Sequence, residues 1–181
     1  DDPAAVLLER IRAEKKAQLG KKYVESYIYK GDDNCYYEHI NGKDIDITEE
    51  VPFNLPFGWE FVRLGDIITV SSGKNITSSE MSKTEQIYPV YGGNGITGYY
   101  NNYNVDINTI VIGRVGFYCG SIHITQCKSW VTDNALVVNY DDECILLKYM
   151  KHLLKWADFG KMSSSTAQPL VTGKIIKPFI I

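Results

Sequence analysis

Cys119 and His123 lie four residues apart, close enough for a thiol and an imidazole to act as a nucleophile–base pair. In the run Ser121-Ile122-His123-Ile124-Thr125, however, the histidine alternates with isoleucines, the pattern of a strand residue facing one side of a sheet. His39, His123 and His152 form no ligand spacing with one another or with Cys35, Cys119, Cys127 and Cys144. Neither a zinc site nor a disulfide framework is expected, and the cysteines read as reduced packing residues. Residues 93–98 read Gly-Asn-Gly-Ile-Thr-Gly, the glycine spacing of a dinucleotide-binding turn. That use requires a helix next, whose N-terminus receives the pyrophosphate. YYNNYNVDIN follows instead, without helical period, so a glycine-rich turn between two strands is expected. No P-loop, GxSxG or HExxH occurs, and the chain offers no catalytic constellation.

The chemistry that remains lies in four polar, glycine-rich loops, at 71–83, 91–104, 113–120 and 161–173. Glycine lets backbone approach a partner closely, Ser, Thr and Asn donate to phosphate oxygens, and Lys or Arg neutralise them. Asn, Gln and Arg also suit bidentate pairing with adenine or guanine edges. Gly, Ser and Asn are equally ordinary turn formers, so one such loop means little. Four of them, interleaved with Lys, Arg and Tyr, suggest a polar binding surface. Tyr99, Tyr100 and Tyr103 could stack on bases or sugars, or fill a sheet face.

These loops need a scaffold. Asp2 suits a helix N-cap and Pro3 the first helical position, Ala4, Leu7, Leu8 and Ile11 form a narrow apolar stripe, and Gly20 is a stop signal. A helix with so narrow a stripe is marginal alone. SYIYKGDDNCYYEHI places two Tyr-rich runs around a turn, a hairpin within 21–50. From Trp59 onward FVRLGDIITV, QIYPVY, TIVIGRVGFYCG, SIHITQ and SWVTDNALVVNY are strand-like. One amphipathic helix interrupts them at 145–159, with Leu146, Met150, Leu153, Leu154 and Ala157 on one face and Lys148, Lys151 and Lys155 on another. The tail reads as turn and strand. Strands without regular βαβ alternation predict an α+β class, strand-rich, with Gly/Asn-rich loops and one amphipathic helix.

The chain has 181 residues, 44% hydrophobic and 23% charged, enough for a buried core. No apolar run approaches the roughly 18 residues of a membrane span, so a soluble, cytoplasmic protein without membrane partners is expected. Nineteen Lys/Arg stand against 22 Asp/Glu, which excludes nucleic-acid binding by bulk charge. Charge is uneven: residues 1–50 carry 8 basic and 12 acidic residues, and 51–181 carry 11 and 10. A polyanion-binding surface belongs in the second segment, and Pro52, Pro56 and Gly58 punctuate the junction.

Seven segments follow in an order that carries more information than any of them alone. DDPAAVLLERIRAEKKAQL, SYIYKGDDNCYYE, PFGWEFVRLGDI, GGNGITGYYNNYN, IGRVGFYCGSIHIT, WVTDNALVV and SSSTAQPLVTGKII together resemble a target-recognition half of the specificity subunit of type I restriction-modification systems. The resemblance implies a DNA reader for one half of a split double-stranded site, docking methyltransferase (modification) subunits and restriction subunits. S-adenosylmethionine, ATP and magnesium would belong to those partners, with no cofactor in this chain. Asp133-Asn134 is followed by Ala135, not the Pro-Pro of adenine methylases, in keeping with a non-catalytic reader.

Residues 1–20 are similar to the tail of the family's central helical region, and the chain ends at KPFII where the family continues into a second long helix. The expectation is the second, C-terminal recognition half as a fragment. It comprises a helical arm at 1–20, a hairpin-like connector at 21–50 and a recognition domain at 51–181. A second recognition half is a further candidate partner. The candidate DNA contacts are Lys74, Asn75, Tyr91, Asn94, Arg114, Ser163, Ser164, Gln168 and Lys174. Lys74 and Lys174 suit phosphates, and Arg114, Asn94 or Gln168 suit base edges. The rival expectation is a glycan- or protein-binding module using the Tyr-rich loops.

Overall fold

Pro3 opens the first helix, its carbonyl accepting the N–H groups of Val6 and Leu7 at 3.0 and 3.3 Å. Helix α1 spans Ala4–Leu19 and stops at Gly20, whose φ of +51° favours glycine. The computed structural model describes residues 3–82, 87–163 and 169–181, so the Asp2 cap expected above lies outside the described residues. By its contacts the chain divides into two compact units, residues 1–67 with 177–181, and residues 68–176. The junction near residue 50 falls inside the first unit.

In the first unit α1 buries only Ile11 fully, and Lys15 donates to the carbonyl of Gly65 at 2.9 Å. Strands β1 (Ser26–Lys30) and β2 (Tyr36–Ile40) form the expected antiparallel hairpin. A third strand, β3 (Lys43–Asp46), follows through Asn41-Gly42, both at positive φ. Period two sorts the residues: Ile28 and Tyr36 face a core with Ile47, Phe61 and Ile180, while Tyr27 stacks on His39 and Tyr29 on Tyr37 across the other face. Glu38 is 6% exposed on the inner face and would be costly there alone. The Arg63 guanidinium meets both its oxygens, at 2.7 Å from Nη2 and 3.1 Å from Nε, and also donates to Glu50 and the Pro178 carbonyl. Leu64 N–H donates to Phe179 O, and Val62 and Ile181 exchange backbone hydrogen bonds, which brings the C-terminal residues into this unit. A single helical turn, α2 (Leu64–Ile67), stands where the sequence suggested strand.

The second unit is built on two sheets. Strand β4 (Ile68–Ser72), β7 (Ile110–Gly113), β8 (Ile122–Ile124) and β10 (Ala135–Tyr140) form an antiparallel sheet in the order β4-β10-β7-β8. Strands β5 (Tyr88–Gly92), β6 (Gly95–Tyr100) and β9 (Trp130–Val131) form a second sheet in the order β6-β5-β9. Tyr91, Val111, Val131, Ala135 and Val137 pack as one core cluster. Helix α3 (Leu147–Ala157) buries Met150, Leu154 and Ala157 along one face, as its period predicts. A one-turn helix, α4 (Gly173–Ile176), replaces the strand expected in the tail. The class is α+β, as expected.

Candidate nucleic-acid interface

The first three polar loops adjoin strand ends, and backbone hydrogen bonds tie down their described residues. The first leaves β4 at Gly73, whose N–H donates to Ala135 O at 3.1 Å, and Lys74 N–H reaches Val131 O at 2.9 Å. A Cβ on Gly73 would collide with the Val131 and Thr132 carbonyls, so only glycine lets the loop cross here. Trp130 Nε1 donates to Lys74 O at 3.1 Å. Further on, Thr77 donates through N–H and Oγ1 to one Glu80 oxygen, and these bonds hold the Glu80 carboxyl below its ordinary pKa.

The second loop is a hairpin tip. Gly92 pairs with Gly95, leaving Gly93-Asn94 as a two-residue turn, and a strand follows rather than the helix a nucleotide fold needs. The third leaves β7 at Arg114 and is closed by Gly120 N–H to Gly113 O at 2.7 Å and Gly113 N–H to Ser121 O at 2.9 Å. The described end of the fourth pairs with it: Val171 N–H donates to Arg114 O, and Gly116 N–H to Pro169 O. Four loops distant in sequence are thus gathered on one unit.

Two grooves lie among them. The larger, about 530 Å³, is lined by Asn75, Asn94, Asn134, Phe117 and Tyr118 among others. The three asparagine side chains hold no hydrogen bond to another described residue. The smaller, about 380 Å³, is lined by Ser72, Lys74, Asn104 and Asn139 among others. Arg114 links the two: its Nη1 donates to Ser72 Oγ at 3.0 Å, in the small groove, and to Asp133 O at 3.1 Å, in the large one. Both acceptors are neutral, so these bonds orient the guanidinium and leave its charge in place.

Of the residues proposed from sequence, Lys74, Asn75 and Asn94 are exposed on these grooves and Arg114 stands between them. Lys174 is exposed on α4. Ser163 donates to Gly160 O at 2.7 Å, a bond that closes its own turn. Ser164 and Gln168 lie outside the described residues. Tyr91 is corrected from contact to core: it is 4% exposed, and burial raises its phenol pKa. The β5–β6 ladder shifts between Val90 and Tyr91, and both consecutive residues are buried, which breaks the simple alternation. The sequence reading missed Asn134, Phe117 and Tyr118. Their one signal was an aromatic pair bracketed by Gly116 and Gly120.

The loop tyrosines are engaged elsewhere. Tyr100 packs edge-on against Trp130 at 5.1 Å, and Tyr103 against Tyr88 at 5.1 Å with the Lys128 ammonium 4.3 Å above its ring. His123 Nε2 lies 3.0 Å from Ser121 Oγ. Burial, with a smaller contribution from Lys155, lowers the imidazole pKa. Among the described residues no group of three or more His, Cys, Asp or Glu could hold a metal. No described helix is long and apolar enough to cross a membrane.

A family model described as the type I restriction modification DNA specificity domain matches residues 56–181. The chain belongs to this family. The type I restriction enzyme EcoprrI specificity subunit of Escherichia coli is 32% identical over 116 residues, covering 62% of this chain and 29% of the relative. The chain thus spans under a third of that relative's length.

The fold of this specificity domain recurs in solved structures. The S subunit of a type I restriction-modification system from M. genitalium matches with a TM-score of 0.62 at 17% identity, over 73% of this chain and 36% of that one. The HsdS subunit from Thermoanaerobacter tengcongensis matches with a TM-score of 0.52 at 18% identity, over 72% and 34%. A chain from a structure of type I R-M complex assembly and conformational transition matches at 0.55 and 16% identity, over 98% and 44%.

Proposed function

We propose that this chain reads one half of a bipartite double-stranded DNA site for a type I restriction-modification complex and directs that complex's adenine methyltransferase and endonuclease. The observation that carries the reading is the groove of three asparagines whose side chains bond no other described residue, beside an oriented arginine. Asparagine amides match adenine edges and a guanidinium matches guanine O6 and N7. Membership in a DNA specificity family supports DNA as the partner such groups would meet.

Roles divide by chemistry. Lys74 and Lys174 neutralise phosphates and set register, while Arg114 and Asn94 reach base edges. Asn75 serves the same groove, and Gln168 is assigned to base edges from its side chain alone. Modification and restriction subunits are the protein partners, with α1 contributing to the surface on which modification subunits dock. The chain itself contributes recognition rather than catalysis.

A salt titration of binding to mixed-sequence duplex tests the reading. Affinity should fall steeply as salt rises, because each neutralised phosphate releases counterions. Binding that ignores salt would point instead to a glycan or protein ligand.

A further inference from the structure

Phe117 is the anomaly of the large groove. Its side chain is 88% exposed, although burying a phenyl ring is worth roughly 1.5–3 kcal/mol. The ring is not on a slack loop. Gly116 N–H is held by Pro169 O at 3.1 Å, Cys119 N–H by Gly116 O at 2.9 Å, and Ser121 N–H by Tyr118 O at 3.1 Å. Tyr118 meets it edge-on with centroids 5.1 Å apart, presenting a second aromatic surface beside it. Gly116, at φ +92°, lets the chain turn so that the next residue stands out. A solvent-facing phenyl on a braced loop, in a groove shared with three asparagine amides, is a contact surface for an apolar group.

An A·T pair offers such a group next to an amide partner. In the major groove adenine presents N7 and N6, the pattern an asparagine pairs with, and its thymine presents a C5-methyl group suited to a phenyl contact. We propose that Phe117 reads a thymine through its 5-methyl group while an asparagine of the same groove holds the paired adenine. The inference rests on the DNA-reading function proposed above and adds the base pair and the contacting atom. Cytosine, without a methyl, would be disfavoured at that position.

The test is thymine-to-uracil scanning, which removes one methyl group and leaves base pairing intact. The bound half-site is first obtained by selection with the 181-residue chain. Each thymine is then replaced in turn, and binding is measured for the wild type, Phe117→Ala and Phe117→Leu. One uracil position should weaken wild-type binding about fourfold, the scale of one buried methyl group. Phe117→Ala should bind thymine and uracil duplexes alike, and Phe117→Leu should keep part of the discrimination. Phe117 is exposed, so its replacement leaves the core intact. Selective binding that no uracil weakens, or an equal loss in wild type and Phe117→Ala, would overturn the methyl contact alone. Absence of any salt-sensitive duplex binding would overturn it together with the DNA-reading function.

Discussion

The two units spend their polar groups differently. In the first, Glu38, Glu50 and the Pro178 carbonyl converge on Arg63, Asp33 takes the Tyr37 hydroxyl at 2.8 Å, and Asp44 takes His39 at 2.8 Å. The Tyr37 phenol is pushed up to about 12 by that bond to Asp33. In the second, the side chains of Asn75, Asn94 and Asn134 line a groove without bonding another described residue, and Phe117 stands out in solvent. Satisfied polar groups hold a fold together, whereas unsatisfied ones on a braced rim are available to a ligand. The contrast separates architecture from recognition more sharply than composition does.

The largest expected effect lies in the first unit. Arg63→Ala strands a buried carboxylate and should cost about 3–5 kcal/mol in urea denaturation. A loss below 1 kcal/mol would erase the contrast from its structural side. Gly73→Ala should cost about 1–3 kcal/mol, because the new methyl meets two backbone carbonyls that cannot step aside. Arg114→Ala should relax base preference and weaken DNA binding by about 1–3 kcal/mol, the scale of one bidentate contact. Unchanged affinity and preference would remove Arg114 from the recognition set.

Two smaller effects sharpen the picture. The His123 pKa is depressed from 6.5, so its contribution to stability is present above 6.5 and fades as pH falls through the lower folded value. Protonation then favours the unfolded chain, in which the ring is solvated. Denaturation followed from pH 7 to 5 should show this loss, and His123→Gln should flatten it. Asn94→Ala should move stability by no more than about 0.5 kcal/mol while weakening DNA binding. A larger change in stability would reassign Asn94 to the scaffold.

Much of the scaffold was legible because its signals are local. Pro3 and Gly20 bracket α1, the Gly-Asp-Asp-Asn turn separates β1 from β2, and the 3.6-residue period reveals α3. Strand β3 was passed over although Asn41-Gly42 is a hairpin signal, because its four residues are all exposed and carry no hydrophobic alternation. The single turns α2 and α4 are too short to show a period at all. The exposed turn at Asn94 was recognisable from its place between glycines, but Tyr91 was not recognisable as core, since the ladder shift that turns it inward depends on pairing with β6. Phe117 was hidden for the opposite reason. It sits in a run rich in β-branched and aromatic residues, where strand propensity predicts burial, and only the turn at Gly116 puts it in solvent. The larger groove itself joins residues from 75 to 134, and nothing local announces it.

The central claim is that this groove reads base sequence. Selection of the chain on a randomised duplex pool, with the bound DNA sequenced at two salt concentrations, tests it most directly. The account predicts an enriched motif of a few base pairs that contains an A·T pair and whose binding weakens as salt rises. Salt-sensitive binding without any enriched motif would contradict it.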